Sequence, residues 1–302
     1  MEALLEAALR LAAPLLLAAL GELLVERAGV INIGIEGTML VGAFAGFVIA
    51  VATGSPALGV AGAALAGCAA GGIFAVFAVV RRTDQIVVGM ALNLLALGGT
   101  GLAARALYAG AAPSAPSVSP WPLPGLSELP VVGAALFAQT PFVYAGWVGA
   151  LALGLFLSRT RAGLRLRAVG ESARSADAEG VRVDRVRILS LLVGGALIGV
   201  AGASLSLALS GTFTEGMTAG RGFIALAVVV FGRWRAGGVV LAALFFGGAT
   251  ALQFRLQARG FGVPYPVFLM FPYVVTLVVL GLATGRARAP ADLGRSYARE
   301  GV

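Results

Sequence analysis

The chain has no histidine and no lysine: all 22 of its basic residues are arginine, set against 14 acids in 302 residues. Without histidine there is no Ser-His-Asp triad, and without lysine there is neither a Walker A phosphate loop nor a Schiff base. Energy from ATP therefore has to enter through another chain. Cys68 is the single cysteine. Its Ala/Gly-rich surroundings read as packing, and a lone thiol excludes both an intramolecular disulfide and a cysteine-cluster metal site. Charge is scarce as well, at 12% of residues, where soluble domains carry roughly a quarter.

What remains is apolar. Hydrophobic residues make up 59% of the chain and the mean hydropathy is +0.95. Runs close to the ~20 residues that cross about 30 Å of hydrocarbon recur from end to end. The expected fold is an all-α polytopic membrane protein, one transmembrane domain over 1–302 with about 8–10 helices in a single bundle. The runs fall near 4–20, 30–52, 57–80, 86–107, 141–158, 188–210, 222–232, 236–252 and 266–284. The acidic start, MEALLEAALRL, lacks the positive charge of a signal peptide and is read as a retained span. The run at 222–232 is too short to cross alone, so it and 236–252 are expected to form a broken pair around Arg233-Trp234-Arg235.

The longest charged stretch, RTRAGLRLRAVGESARSADAEGVRVDRVR at 159–187, holds eight arginines and four acids. The positive-inside bias holds it on the cytoplasmic side. Arg81-Arg82, Arg233-Arg235 and the tail arginines within 286–302 then fall inside as well. The Pro/Ser-rich segment within 108–140 is expected outside, extended and irregular. The net charge of +8 has this membrane explanation. Nucleic acid is not an expected partner, because the arginines flank apolar spans instead of lining one amphipathic face.

Polar residues at membrane depth are few and informative. Glu22, Glu26, Asn32 and Glu36 lie at the mouth of the second span, where Asn32 and Glu36 are one helical turn apart and can share a face. Three roles fit Glu36: local pairing that holds the fold, a place with Asn32 on the path of a polar substrate, or protonation in a secondary carrier. Asn93, in mid-span, reads as interhelical polar glue or as a substrate contact. Within the charged stretch, Gly170-Glu171-Ser172 opens and Gly180 closes a short helix, with Glu171 at its positive N-terminal end and Gly180 as its stop. Ala173 and Ala176 give that helix a small-residue face able to enter a groove. A solvated charge run is the plainer reading of the same stretch.

Four separated strings together resemble the permease subunits of bacterial ABC importers for nucleosides and simple sugars, within the ribose and branched-chain amino-acid permease superfamily. They are ERAGVINIGIEGTMLVGAF at 26–44, TDQIVVGMALNLLALGGTG at 83–101, RAVGESARSADAEGVRVDRVR at 167–187 and GRGFIALAVVVFGRWRAGGVVLAALFFGGATALQ at 220–253. The form of the first leans toward the nucleoside branch. Ala236, where a proline is often seen, and the acidic Ala176–Gly180 depart from the pattern.

The resemblance implies a transport subunit of a bacterial or archaeal cytoplasmic membrane, not an enzyme, with no catalytic residue, metal or cofactor of its own. ATP and Mg would be bound by a partner ATPase, and a second related permease and an external substrate-binding lipoprotein would complete the assembly. Asn32, Glu36 and Asn93 become candidates for the substrate path. Glu171, Ser172, Ala173, Arg174, Ala176, Asp177, Glu179 and Gly180 become the segment that couples to the ATPase. The rival expectations are a proton-coupled carrier using Glu36 and a non-transporting scaffold or channel.

Overall fold

In a computed structural model, residues 2–109, 113–128, 133–258 and 289–298 are described, together with Met270 and Val274. The chain begins with α1 (Glu2–Arg27), whose first turn is acidic and whose last residue is basic, matching the helix dipole. There follow α2 (Ile35–Thr53), α3 (Pro56–Ala75, continuing in wider turns to Val80) and α4 (Gln85–Tyr108). Ser55 caps α3 ahead of Pro56, and Asp84 caps α4 by accepting from Ile86 and Val87 at 2.8 and 3.1 Å. After a two-residue ladder of β1 (Trp121–Pro122) against β2 (Ala138–Gln139), which flanks α5 (Gly133–Phe137), comes α6 (Pro141–Arg159). Then come α7 (Arg161–Glu171), α8 (Ala173–Ala178), α9 (Val183–Ser204, wider turns to Ser210), α10 (Arg221–Phe231) and α11 (Ala236–Ala258).

Seven of the described helices are long and apolar enough to cross a membrane, with α10 as a shorter apolar helix. The run expected at 266–284 lies outside the described residues. The packing order follows from burial. In α1 83% of the apolar window is buried, against 28% in α4 and in α6, so α1 is the axis of the bundle and α4 and α6 are its rim. The exposed Val87, Met90, Leu94 and Leu95 on α4 suit hydrocarbon contact, where an apolar surface costs nothing.

In lipid the helices gain little from burying apolar surface and rely on close approach instead. α9 makes that approach on both sides. A methyl group added at Gly199 would collide with the carbonyl of Ala63 on α3, and one at Gly202 with the carbonyl of Met39 on α2. Gly202→Val is accordingly expected to cost about 3 kcal/mol or more, because the obstruction is backbone that no rotamer can move aside. Thermal unfolding in detergent, followed by size exclusion, measures it.

The charged clusters gather at one end. Arg27 donates to the carbonyl of Trp234, and Ile31 N donates to Gln85 Oε1 at 2.8 Å, next to Arg81-Arg82. Arg187 donates to the carbonyls of Ala28 and Arg295 at 3.3 and 2.9 Å. At the other end the Pro/Ser-rich segment is extended and seated on the end of α9, where Ala115 N donates to Gly211 O and Val118 N to Leu207 O.

Candidate functional site

With 11 residues, α10 is about 16 Å long at 1.5 Å per residue, half the hydrocarbon thickness. Its first backbone N–H groups therefore start inside the bundle with no helical acceptor, which is costly where water is absent. Glu36 supplies the acceptors. One carboxylate oxygen accepts from Gly220 N at 2.7 Å and the other from Gly222 N at 2.7 Å. The approach is close enough that a Cβ on Gly222 would lie 2.6 Å from the Cα of Glu36, so both partners of this anchor are sterically specified. The α10 dipole favours a negative group at this position.

Asn93, on α4, serves the start of α2 in the same way. Its Oδ1 accepts from Gly37 N at 2.7 Å and its Nδ2 donates to Ile33 O at 2.9 Å. Asn32 stands apart from both. It is not on α2 at all, because the chain leaves α1 at Arg27, turns at Gly29 with φ +85°, and resumes helix only at Ile35. The helical pairing of Asn32 with Glu36 expected from their spacing is thus replaced by a loop. Asn32 N donates to Glu22 Oε1 at 3.0 Å, whereas the side-chain amide of Asn32 and the other oxygen of Glu22 are buried with no partner among the described residues.

Toward the outer end, the irregular stretch 211–220 carries the chain from α9 back into the bundle. It borders a cavity of about 340 Å³ lined by Arg105, Tyr108, Thr212, Thr214 and Glu215. Arg105 and Glu215 face each other at 3.4 Å across its mouth. The cavity's hydroxyl and charged groups and the Glu36 anchor lie at opposite ends of the same 211–220 stretch, with α2 and α4 alongside.

At the inner end the turn between α10 and α11 is locked to α1. The Trp234 indole donates to Glu26, and Arg27 donates through two nitrogens to the Trp234 carbonyl, one of them at 2.8 Å. Arg233 and Trp234 hold φ of 54° and 53°, a region that disfavours side chains and persists only where the surroundings enforce it.

The cytoplasmic segment differs from its expected form. It is two helices, with the break at Ser172. Glu171 is the last residue of α7, not the first of the next helix, and it faces Arg27 at 4.0 Å. Ser172 caps α8 by accepting from Ser175 N at 3.2 Å, and Gly180 stops the segment with φ +79°. Ala173 and Ala176 point inward, packed with Val169 and Val183 and against Tyr297. The small-residue face is therefore spent inside the chain, and Arg174, Ser175, Glu179 and Gly180 are exposed. The tail clasps this helix: Asp292 Oδ2 accepts from Ala173 N at 2.7 Å, and Tyr297 donates to Asp177 at 3.0 Å.

The family model described as branched-chain amino acid transport system, permease component, matches residues 4–280. The chain belongs to this family. A putative glucose ABC transporter permease of Haloferax volcanii is 37% identical over 98% of the chain and 98% of its own length. A guanosine ABC transporter permease of Bacillus subtilis is 37% identical over 95% and 93%, and a nucleoside ABC transporter permease of Lactococcus lactis is 36% identical over 94% and 93%. No solved structure matches the chain.

As a permease it is a multi-pass membrane transport component of an ATP-binding-cassette system, not an enzyme. Several residues of its site were not singled out from sequence. The sequence alone marks Trp234 only as the centre of a break and gives no role to Arg27, Arg105 or Asp292. Each meets its partner across a separation such as 207 residues for Arg27 and Trp234, which no local pattern reveals. The one available signal was Glu26-Arg27 itself, two charges inside an apolar run, where a buried partner is required.

Proposed function

We propose that this permease moves a nucleoside or a simple sugar into the cytoplasm, with the substrate delivered from outside by a binding lipoprotein and the energy supplied by a partner ATPase that holds ATP and Mg. The observation that carries this reading is near-complete coverage, at 36–37% identity, by permeases named for guanosine, nucleosides and glucose. Those substrates share hydroxyl-rich rings, and the outer cavity offers hydroxyl and charged partners for them at Tyr108, Thr212, Thr214 and Arg105. Asn32 is the path residue best suited to recognise substrate, since its amide is uncommitted among the described residues. Glu36 and Asn93 shape the path by anchoring α10 and α2.

The ATPase docks on α8 and the turn that follows it, through the exposed Arg174, Ser175, Glu179 and Gly180. A second related permease completes the pore in the bacterial or archaeal cytoplasmic membrane. ATP-driven closure of the ATPases displaces α8 and switches the cavity between outward-open and inward-open states, which are the two conformations that differential binding selects.

Purification of the tagged chain in mild detergent, identification of its companions by mass spectrometry and reconstitution of the whole set into proteoliposomes test this. The expected result is a stoichiometric ATPase and a second permease, and ATP-dependent uptake of labelled guanosine, cytidine or ribose that requires the binding protein. Uptake by the chain alone, driven by a proton gradient, would favour the carrier reading instead.

A further inference from the structure

Between the inner ends of α6, α7 and α11 lies a second cavity, of about 380 Å³, lined by Arg27, Arg167 and Arg235 together with Ser158, Leu157 and Trp234. Its three arginines come from separate elements. Arg27 is partly committed, to the Trp234 carbonyl and, at 4.0 Å, to Glu171. The side chains of Arg167 and Arg235 form no hydrogen bond or ion pair among the described residues, and the Nε of Arg167 is buried without a partner. Both act on Arg27 as repelling like charges, and Glu171 acts on it in opposition. Like charges gathered at the edge of a low-dielectric bundle raise the energy of the site unless an anion joins them.

Positive-inside bias accounts for arginines at this end of the molecule, but not for three of them turned onto one cavity. The wall contributed by α6 adds a second observation. Gly154, Leu157 and Ser158 of that helix line the cavity, while Leu151 and Leu155, one turn apart on the adjoining surface, are 66% and 51% exposed. An apolar track on the outside of α6 leads to a cationic pocket at its inner end. Guanidinium forks match the oxygens of a phosphate group, and basic pockets between helices on the cytoplasmic side suit phospholipid headgroups.

We propose that the cavity bordered by Arg27, Arg167 and Arg235 binds a phosphate ester, supplied by the headgroup of an anionic phospholipid whose acyl chains lie along α6. Bound there, the phosphate joins α7 to the α10–α11 turn and neutralises the repulsion beside Trp234. The site is separate from the substrate path, and it stands whether or not the transported molecule is a nucleoside.

Native mass spectrometry tests it on the full chain, purified with its companion subunits and offered equimolar phosphatidylglycerol and phosphatidylcholine. The wild type is expected to retain phosphatidylglycerol roughly tenfold over phosphatidylcholine, and Arg167→Ala with Arg235→Ala to lose most of that preference. If the double variant does not fold, Arg235→Ala at its exposed position carries the comparison. A parallel arm adds millimolar inorganic phosphate and follows thermal unfolding. Stabilisation of the wild type but not the variant, without lipid preference, assigns the same phosphate chemistry to a soluble ligand and overturns the lipid source. No preference and no stabilisation in the wild type, or an equal preference in the variant, overturns the site.

Discussion

Glu36→Leu is expected to lower substrate uptake by at least two orders of magnitude and to reduce the thermal stability of the purified permease. The reason lies in α10. Both oxygens of Glu36 accept backbone N–H groups at the start of that helix, and leucine leaves both donors without acceptors inside the bundle. A fully buried donor left unsatisfied costs about 1–3 kcal/mol; Gly222 is buried and Gly220 half-buried, so the loss is about 1–3 kcal/mol, most of it at Gly222, and a large share of an ordinary domain's stability. Glu36→Gln separates the contributions. A glutamine keeps one acceptor oxygen and loses the charge assistance, so its stability falls between wild type and leucine. Uptake in proteoliposomes and unfolding in detergent check the pair of variants. A residue that merely lined the path would give Glu36→Leu full stability with lost uptake, and that result would remove the anchoring role.

The span pattern was legible because apolar length is a local property. The broken pair around Arg233-Trp234-Arg235 followed from a run too short to cross, and the stop at Gly180 followed from glycine's tolerance of φ +79°. The partners of the polar residues were not legible. Nothing in the sequence near Glu36 tells that its acceptors serve Gly220 and Gly222, and nothing near Trp234 names Glu26. Periodicity also misled in two places. Asn32 and Glu36 are four apart, yet the turn at Gly29 and the bond from Asn32 N to Glu22 take Asn32 off the helix. Ala173 and Ala176 make a small face suited to a groove, but Val169, Val183 and Tyr297 fill the space against it, so the chain uses that face for its own packing. In each case a long-range contact overrode a sound local preference.

Asp292→Ala is expected to leave folded yield close to wild type while reducing ATP-driven uptake about tenfold and weakening the dependence of ATPase activity on loaded binding protein. This rests on the proposed docking at α8. Asp292 receives Ala173 N at the start of α8 and donates its own N–H to Gly170 O at 2.9 Å, while Gly294 N donates to Gly29 O at 3.1 Å in the loop after α1. Arg187 adds its bond to Arg295 O at 2.9 Å. The tail thereby ties α8 to the loop that carries Asn32 and leads into Glu36, so a push on α8 reaches the α10 anchor through packed backbone. Loss of one helix cap costs about 1 kcal/mol, too little to unfold the chain but enough to free α8 from that loop. Asp292→Asn keeps an acceptor for Ala173 N and is expected to restore most of the coupling, a rescue that general destabilisation would not produce. Simultaneous measurement of ATP hydrolysis and uptake in proteoliposomes decides it: hydrolysis that continues while uptake falls marks a severed link, and a proportional fall in both marks a folding defect.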